Sequence, residues 1–170
     1  TEQFFFSELA AAVTQTITHH SQYGRLYEVD SRLRPTGKSG ALAVSTNEFY
    51  RYFSSGKGQL WERQSLCKAR PVFGAEANCE RVKEMVQRII SEQVWLPEMA
   101  GDIQSMRLAM QKDCSSRNLK RGSGGTVDVE FAIQMLQLRY AKTDSEVLVP
   151  GTLEAIEQLE LAGFLASELA

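Results

Sequence analysis

The sequence lacks several features that would assign the protein to a class at once. Its 170 residues include only three cysteines, Cys67, Cys79 and Cys114, and none of them has C-x-x-C spacing. This scatter favours reduced thiols in a cytoplasmic protein over a disulfide framework or a zinc site. No apolar run approaches the length that a membrane span requires, and no signal-peptide pattern opens the chain. We therefore expect a cytoplasmic protein that does not enter a membrane.

A basic excess is also missing. The formal net charge is −2, whereas general nucleic-acid binding is typical of strongly basic domains, so we expect no nucleic-acid partner. Hydrophobic residues make up 43% of the chain and charged residues 24%, which is ordinary for a globular protein. The chain is long enough to bury a substantial core.

Apolar residues at three- and four-residue spacing predict that the chain is mostly helical. Helices are predicted over residues 3–20, 46 to about 54–56, 59–70, 80–95, 97–112, 127–140 and 150–161, and strands over 27–33 and 41–45. The predicted fold class is α+β, in which a helix, a strand pair and two helices precede an all-helical half. The predicted domains are residues 1–74 and 75–170. Residues 167–170 resemble the start of another helix, so we expect a piece of a longer polypeptide.

The strongest chemical signal lies on the first predicted strand. Strand side chains alternate between faces, so Asp30, Arg32 and Arg34 are expected to share one face. Carboxylate oxygens suit Mg²⁺, and guanidinium groups suit phosphate oxygens. The pattern therefore predicts a polyanion held together with a divalent cation. The two arginines either bind phosphates or hold the carboxylate in an ion pair, and the sequence leaves both roles open.

Three separated blocks, in this order, resemble the glutamine synthetase adenylyltransferases. They are residues 30–40 (DSRLRPTGKSG), which match a D-x-R-L-R-P-x-G-x-x-G signature, residues 61–70 (WERQSLCKAR) and residues 120–131 (KRGSGGTVDVEF). The likeness covers roughly residues 23–140. Because the blocks are far apart in the chain, their shared order makes the resemblance specific.

The resemblance implies that residues 1–74 are the C-terminal part of a nucleotidyltransferase fold and that residues 75–170 are a truncated helical bundle. It implies transfer of AMP from ATP to a tyrosine of glutamine synthetase by a two-metal mechanism with Mg²⁺. Asp30 matches the third metal-binding carboxylate and is the implied catalytic residue. The first two carboxylates lie upstream in the family, so we expect the chain alone to be inactive.

Nucleotide binding and regulation are implied in the same way. Arg32 and Arg34 are candidates for binding the ATP phosphates, and Lys68 and Arg70 of the second block are further candidates. The resemblance also implies the PII signal protein as a regulator. In the third block, the segment from Lys120 to Glu130 either offers backbone N–H groups to an anion or is an ordinary loop before a helix. We favour a role for it in docking the helical half onto the catalytic half.

Other functions stay open at this point. One is the adenylyl-removing half of the same enzyme, which works by phosphorolysis, although residues 26–30 look more like the adding half. Another is a PII-protein uridylyltransferase, which the second and third blocks disfavour. The third is a non-catalytic helical regulatory module in which the strand pair is only structural.

Overall fold

The computed structural model describes residues 2–25, 27–112, 114–115 and 117–166, and within these ranges the protein is mostly helical. The predicted helix at residues 167–170 lies outside them. No helix in the described ranges is both long and apolar enough to cross a membrane. The helices are α1 (Glu2–Thr18), α2 (Thr46–Ser54), α3 (Leu60–Leu66), α4 (Glu76–Ser91), α5 (Glu98–Gln111), α6 (Thr126–Tyr140) and α7 (Thr152–Leu161), with short 3-10 helices at Gly37–Ser39 and Ser145–Val147.

The mostly helical character is confirmed, but the predicted strand pair is not seen in the part of the chain that the structure describes. Residues 27–33 and 41–45 form no ladder there, and an isolated β-bridge joins Ser21 and Gly24 upstream of them. A two-stranded unit without a third strand is only marginally stable. Local turns replace it, in which the Gly37 N–H donates to the Arg34 carbonyl oxygen over 2.8 Å.

The chain separates into two compact units, Thr1–Gly58 and Gln59–Ala170. This division falls upstream of the predicted boundary near Gly74, because α3 packs with α4 and α6 of the second unit. The predicted domains, 1–74 and 75–170, stay a prediction.

The first unit has a small core in its described residues. Phe53 is its single buried apolar side chain, and its ring packs 5.2 Å from those of Phe49 and Tyr52. The predicted capping box at the start of α2 is confirmed, since Ser45 and Glu48 each accept a hydrogen bond from the other's backbone N–H. Exposed apolar side chains line α1, namely Phe4, Phe5, Phe6, Leu9 and Val13.

The second unit is built around α6, which contributes to two apolar clusters. On one side, Leu138 packs with Ile90 of α4 and Ile103 of α5. On the other side, Ile133 packs with Leu159 of α7. All of these side chains are at least nine-tenths buried. Because α6 begins within the third sequence block, at Thr126, its packing fixes the position of that block.

Candidate functional site

Asp30 and Arg32 form a tight ion pair on the surface of the first unit. The Arg32 Nε–H points at both carboxylate oxygens of Asp30, over 2.8 and 2.9 Å, and Nη2 donates to Oδ2 over 2.5 Å. The backbone N–H of Arg32 donates to Oδ1 over 3.0 Å. Both side chains are exposed, and they line a shallow cleft together with Glu28 and Val29. The ion-pair role of Arg32 that the sequence left open is therefore present in the structure.

This pairing determines the electrostatics of the carboxylate. The side-chain hydrogen bonds from Arg32 lower the pKa of Asp30 from 3.8 to about 2, with a further contribution from the Arg32 backbone N–H. Lys38 adds a smaller through-space effect in the same direction. Asp30 is consequently an anion at neutral pH, and its low pKa makes it a poor proton acceptor.

Arg34 binds backbone carbonyl groups, whereas Arg32 binds the Asp30 carboxylate. The Arg34 guanidinium donates to three backbone carbonyl oxygens, those of Gly40 over 3.1 Å, Lys38 over 3.3 Å, and Ser31. The side chain thus closes the loop that follows Asp30. Whether it also contacts phosphate stays a prediction, but its nitrogen atoms already have partners within the loop.

The glycines of the first block are explained by the shape of the same loop. Gly37 has φ of +58°, a conformation that favours glycine. A Cβ atom at Gly40 would lie 2.1 Å from the carbonyl oxygen of Pro35, which no side chain tolerates. The D-x-R-L-R-P-x-G-x-x-G pattern therefore describes one compact loop in which Arg34 binds the backbone and Arg32 holds the acid.

Lys68 and Arg70 belong to the second unit. The Lys68 ammonium group is 3.0 Å from Glu130 of α6 and 3.1 Å from the hydroxyl oxygen of Thr152 at the start of α7. Lys68 therefore links the second sequence block to the third. Arg70 is exposed just beyond α3. The predicted nucleotide-binding roles of both residues stay predictions.

The glycine-rich loop of the third block uses its backbone N–H groups internally. The N–H groups of Lys120 and Arg121 donate to the Asn118 side chain, and that of Gly124 donates to Asp128 over 2.7 Å. The first N–H groups of α6 donate to carbonyl oxygens of the same loop. This arrangement favours the ordinary-loop interpretation over the anion site, because the donors that an anion would need are occupied.

Arg107 holds this loop in place, and the sequence analysis missed it. Its Nη2 donates to the carbonyl oxygens of Arg121 and Gly122, each over 2.9 Å, and its Nε lies 2.6 Å from Asp128 Oδ1. The side chain is buried in the second unit. The available signal was its position four residues after Ile103, which places it on the buried face of α5.

The residues around Asp30 bear on whether a divalent cation fits. No group of three or more metal-ligating side chains occurs in the described ranges. Mg²⁺, however, is usually held by one or two carboxylates together with water and substrate phosphates. An exposed aspartate beside an open cleft fits that pattern as a single ligand, once an Asp30 carboxylate oxygen is released from its hydrogen bond to Arg32.

Comparisons with known protein families first give a class, the enzymes that transfer a nucleotidyl group. Residues 98–170 match the family described as GlnD PII-uridylyltransferase. Residues 1–85, which include the Asp30 loop, match the family described as glutamate-ammonia ligase adenylyltransferase. The chain belongs to the glutamate-ammonia ligase adenylyltransferase family, as its sequence blocks predicted.

Individual relatives agree with this assignment. A protein of Thioalkalivibrio sulfidiphilus is 34% identical over 170 residues, which cover 96% of this chain and 17% of the relative. One from Idiomarina loihiensis is 37% identical over 144 residues, which cover 82% of this chain and 15% of that relative. One from Mycobacterium tuberculosis is 34% identical over 146 residues, which cover 84% of this chain and 15% of that relative. Each is named a bifunctional glutamine synthetase adenylyltransferase/adenylyl-removing enzyme. This chain spans about a sixth of their length.

Proposed function

We propose that this chain works within a cytoplasmic enzyme that transfers AMP from ATP to a tyrosine of glutamine synthetase. The observation that carries the proposal is the surface loop from Asp30 to Gly40, which lies within the matched residues 1–85. Its fold places an ionised carboxylate beside an open cleft with a guanidinium group next to it. In this proposal, residues 1–74 belong to a nucleotidyltransferase fold.

Asp30 is proposed to bind Mg²⁺ rather than to accept a proton. A pKa of about 2 leaves the carboxylate ionised but weakly basic, which suits a metal ligand better than a general base. Asp30 would hold Mg²⁺, and the chemistry that the ion would supply is neutralisation of the charge that develops on the oxygens during AMP transfer. Arg32 and, less directly, Arg34 orient the acid and its loop at the edge of the cleft.

The helical unit contributes two further candidate residues to this proposal. Lys68 and Arg70 remain candidates for contacting ATP, and the PII signal protein remains a candidate regulator. The match of residues 98–170 to the PII-uridylyltransferase family also favours a helical region that related enzymes share. The Asp30 loop, however, lies in the part that matches the adenylyltransferase family.

The test is Asp30→Asn in the full-length enzyme that carries this segment. Transfer of labelled AMP from ATP to glutamine synthetase is measured, and we expect a loss of about 100-fold or more, since a bound metal supplies several kcal/mol of charge stabilisation. Asp102→Asn, an exposed aspartate on α5, is the matched control and should leave the rate unchanged. Wild-type transfer by the Asp30 variant would contradict the proposal.

A second activity is favoured by the names of the relatives, which are bifunctional. The same variants are therefore assayed for phosphate-dependent removal of AMP from adenylylated glutamine synthetase. Loss of AMP transfer with removal intact would assign this segment to the adding half. Loss of removal with transfer intact would assign it to the removing half.

A further inference from the structure

Arg32 covers both oxygens of the Asp30 carboxylate. An ionised carboxylate has about four lone-pair sites. Three N–H groups of Arg32 bind there: the backbone N–H at Oδ1, Nη2–H at Oδ2, and a single Nε–H shared between the two oxygens. The guanidinium therefore lies where a cation shared by the two oxygens would bind. A divalent cation that binds both oxygens has to displace the guanidinium from this position.

The exposure of the pair makes such a displacement easy. The side chains of Arg32 and Asp30 are 66% and 50% exposed, so the guanidinium can move into water without disrupting buried packing. Exposed ion pairs are weak, whereas a divalent cation carries twice the charge of a guanidinium. The backbone N–H of Arg32 can keep its bond to Oδ1 while the side chain leaves, which holds the carboxylate in place throughout.

From this geometry we infer that the Arg32 side chain is an exchangeable stand-in for a cation, which holds Asp30 until Mg²⁺ takes its place. The inference rests on the proposed metal role of Asp30 and adds a positioning role for Arg32. It unites the two roles that the sequence left open, because the released guanidinium remains on the wall of the same cleft. There it is available to a phosphate group, for which its planar fork is well suited.

The first measurement follows the Arg32 Nε–H signal of this chain by NMR during a titration with Mg²⁺. In the metal-free chain, the signal should be shifted and protected by its bonds to Asp30. As Mg²⁺ binds, it should move to the position of a solvated arginine, while the backbone amide signals of α2 stay in place. Occupancy of an Asp30-dependent site with no change in the Arg32 signal would overturn the inference.

The second measurement compares Mn²⁺ affinities of variants by paramagnetic line broadening. Arg32→Gln removes the competitor and should tighten Mn²⁺ binding by about two- to fivefold, the factor expected for an exposed ion pair. Lys38→Gln is the matched control, because Lys38 acts on Asp30 only through space. Its affinity should stay closer to wild type than to that of Arg32→Gln. Equal or weaker binding by Arg32→Gln would overturn the exchange.

Asp30→Asn separates this inference from the proposed function. If Asp30→Asn loses Mn²⁺ binding but Arg32→Gln does not bind Mn²⁺ more tightly than wild type, Asp30 is a metal ligand and the proposed exchange with Arg32 is wrong. If Asp30→Asn leaves Mn²⁺ binding unchanged, the metal role of Asp30 is wrong and the exchange falls with it.

Discussion

The ammonium group of Lys68 lies 3.0 Å from the carboxylate of Glu130, so an ion pair joins the second and third sequence blocks. The Thr152 hydroxyl completes the contact from the start of α7. Blocks that are far apart in the chain thus meet at one surface point of the helical unit. Their joint occurrence in the sequence has a structural reason, which is independent of any role in nucleotide binding.

The first prediction concerns this contact. Lys68→Met should lower the free energy of unfolding by no more than about 1 kcal/mol, because the ion pair is partly exposed and screened by water. Chemical denaturation measures the effect. If AMP transfer by the full-length enzyme falls strongly in the same variant while its stability does not, Lys68 also takes part in binding ATP.

The second prediction concerns the pKa of Asp30. Its folded value lies below the ordinary 3.8, so the pair with Arg32 is intact above that pH and is lost as the pH falls through about 2. Arg32→Gln should return the pKa of Asp30 towards 3.8, as followed by the carboxyl ¹³C shift in NMR. Lys38→Gln should raise it much less. A titration of Asp30 near 3.8 in the unmodified chain would contradict the observed geometry.

The third prediction concerns Arg107. Arg107→Met leaves the carbonyl oxygens of Arg121 and Gly122 without their buried donor and should lower the free energy of unfolding by about 2 kcal/mol or more. The exposed Arg121 side chain provides the control. Arg121→Ala should change the free energy of unfolding by less than about 0.5 kcal/mol. Urea denaturation compares the two variants, and equal stabilities would show that the loop does not depend on Arg107.

The fourth prediction concerns a buried polar pair. The Gln64 side-chain amide donates to the Gln134 side-chain oxygen over 2.9 Å, between α3 and α6. Gln64→Leu and Gln134→Leu should each cost about 1–3 kcal/mol, because each leaves a buried polar group unpaired. The double variant should cost less than the sum of the two, since no unpaired partner remains. Strict additivity in a double-mutant cycle would argue against a direct interaction.

The fifth prediction concerns the core. Leu159 of α7 is fully buried, and Leu159→Ala should cost about 2–5 kcal/mol. Leu161, on the same helix, is 80% exposed, and Leu161→Ala should cost less than about 0.5 kcal/mol. Thermal unfolding of the two variants checks the packing of α7 against α6, and similar melting temperatures would be inconsistent with it.

Much of the helical structure was predictable from local sequence. The capping box at Ser45 and the helices α5 and α6 agree with prediction within a residue or two. Helix α4 begins earlier than expected, at Glu76, because its first turn is polar and lies outside the apolar repeat that revealed the rest. The site residues were harder to predict, since Arg32 and Arg34 have the same side chain but different partners.

The sequence by itself determined the helices and the family, because helical hydrogen bonds join residues four apart and the three blocks are read directly from residue order. Tertiary structure decided what the charged and polar groups do. It assigned Arg32 to Asp30 and Arg34 to loop carbonyls, and it buried Arg107 against a loop on another element. Such pairings depend on which backbone and side-chain atoms folding brings together, and the order of residues along a chain does not specify those distances.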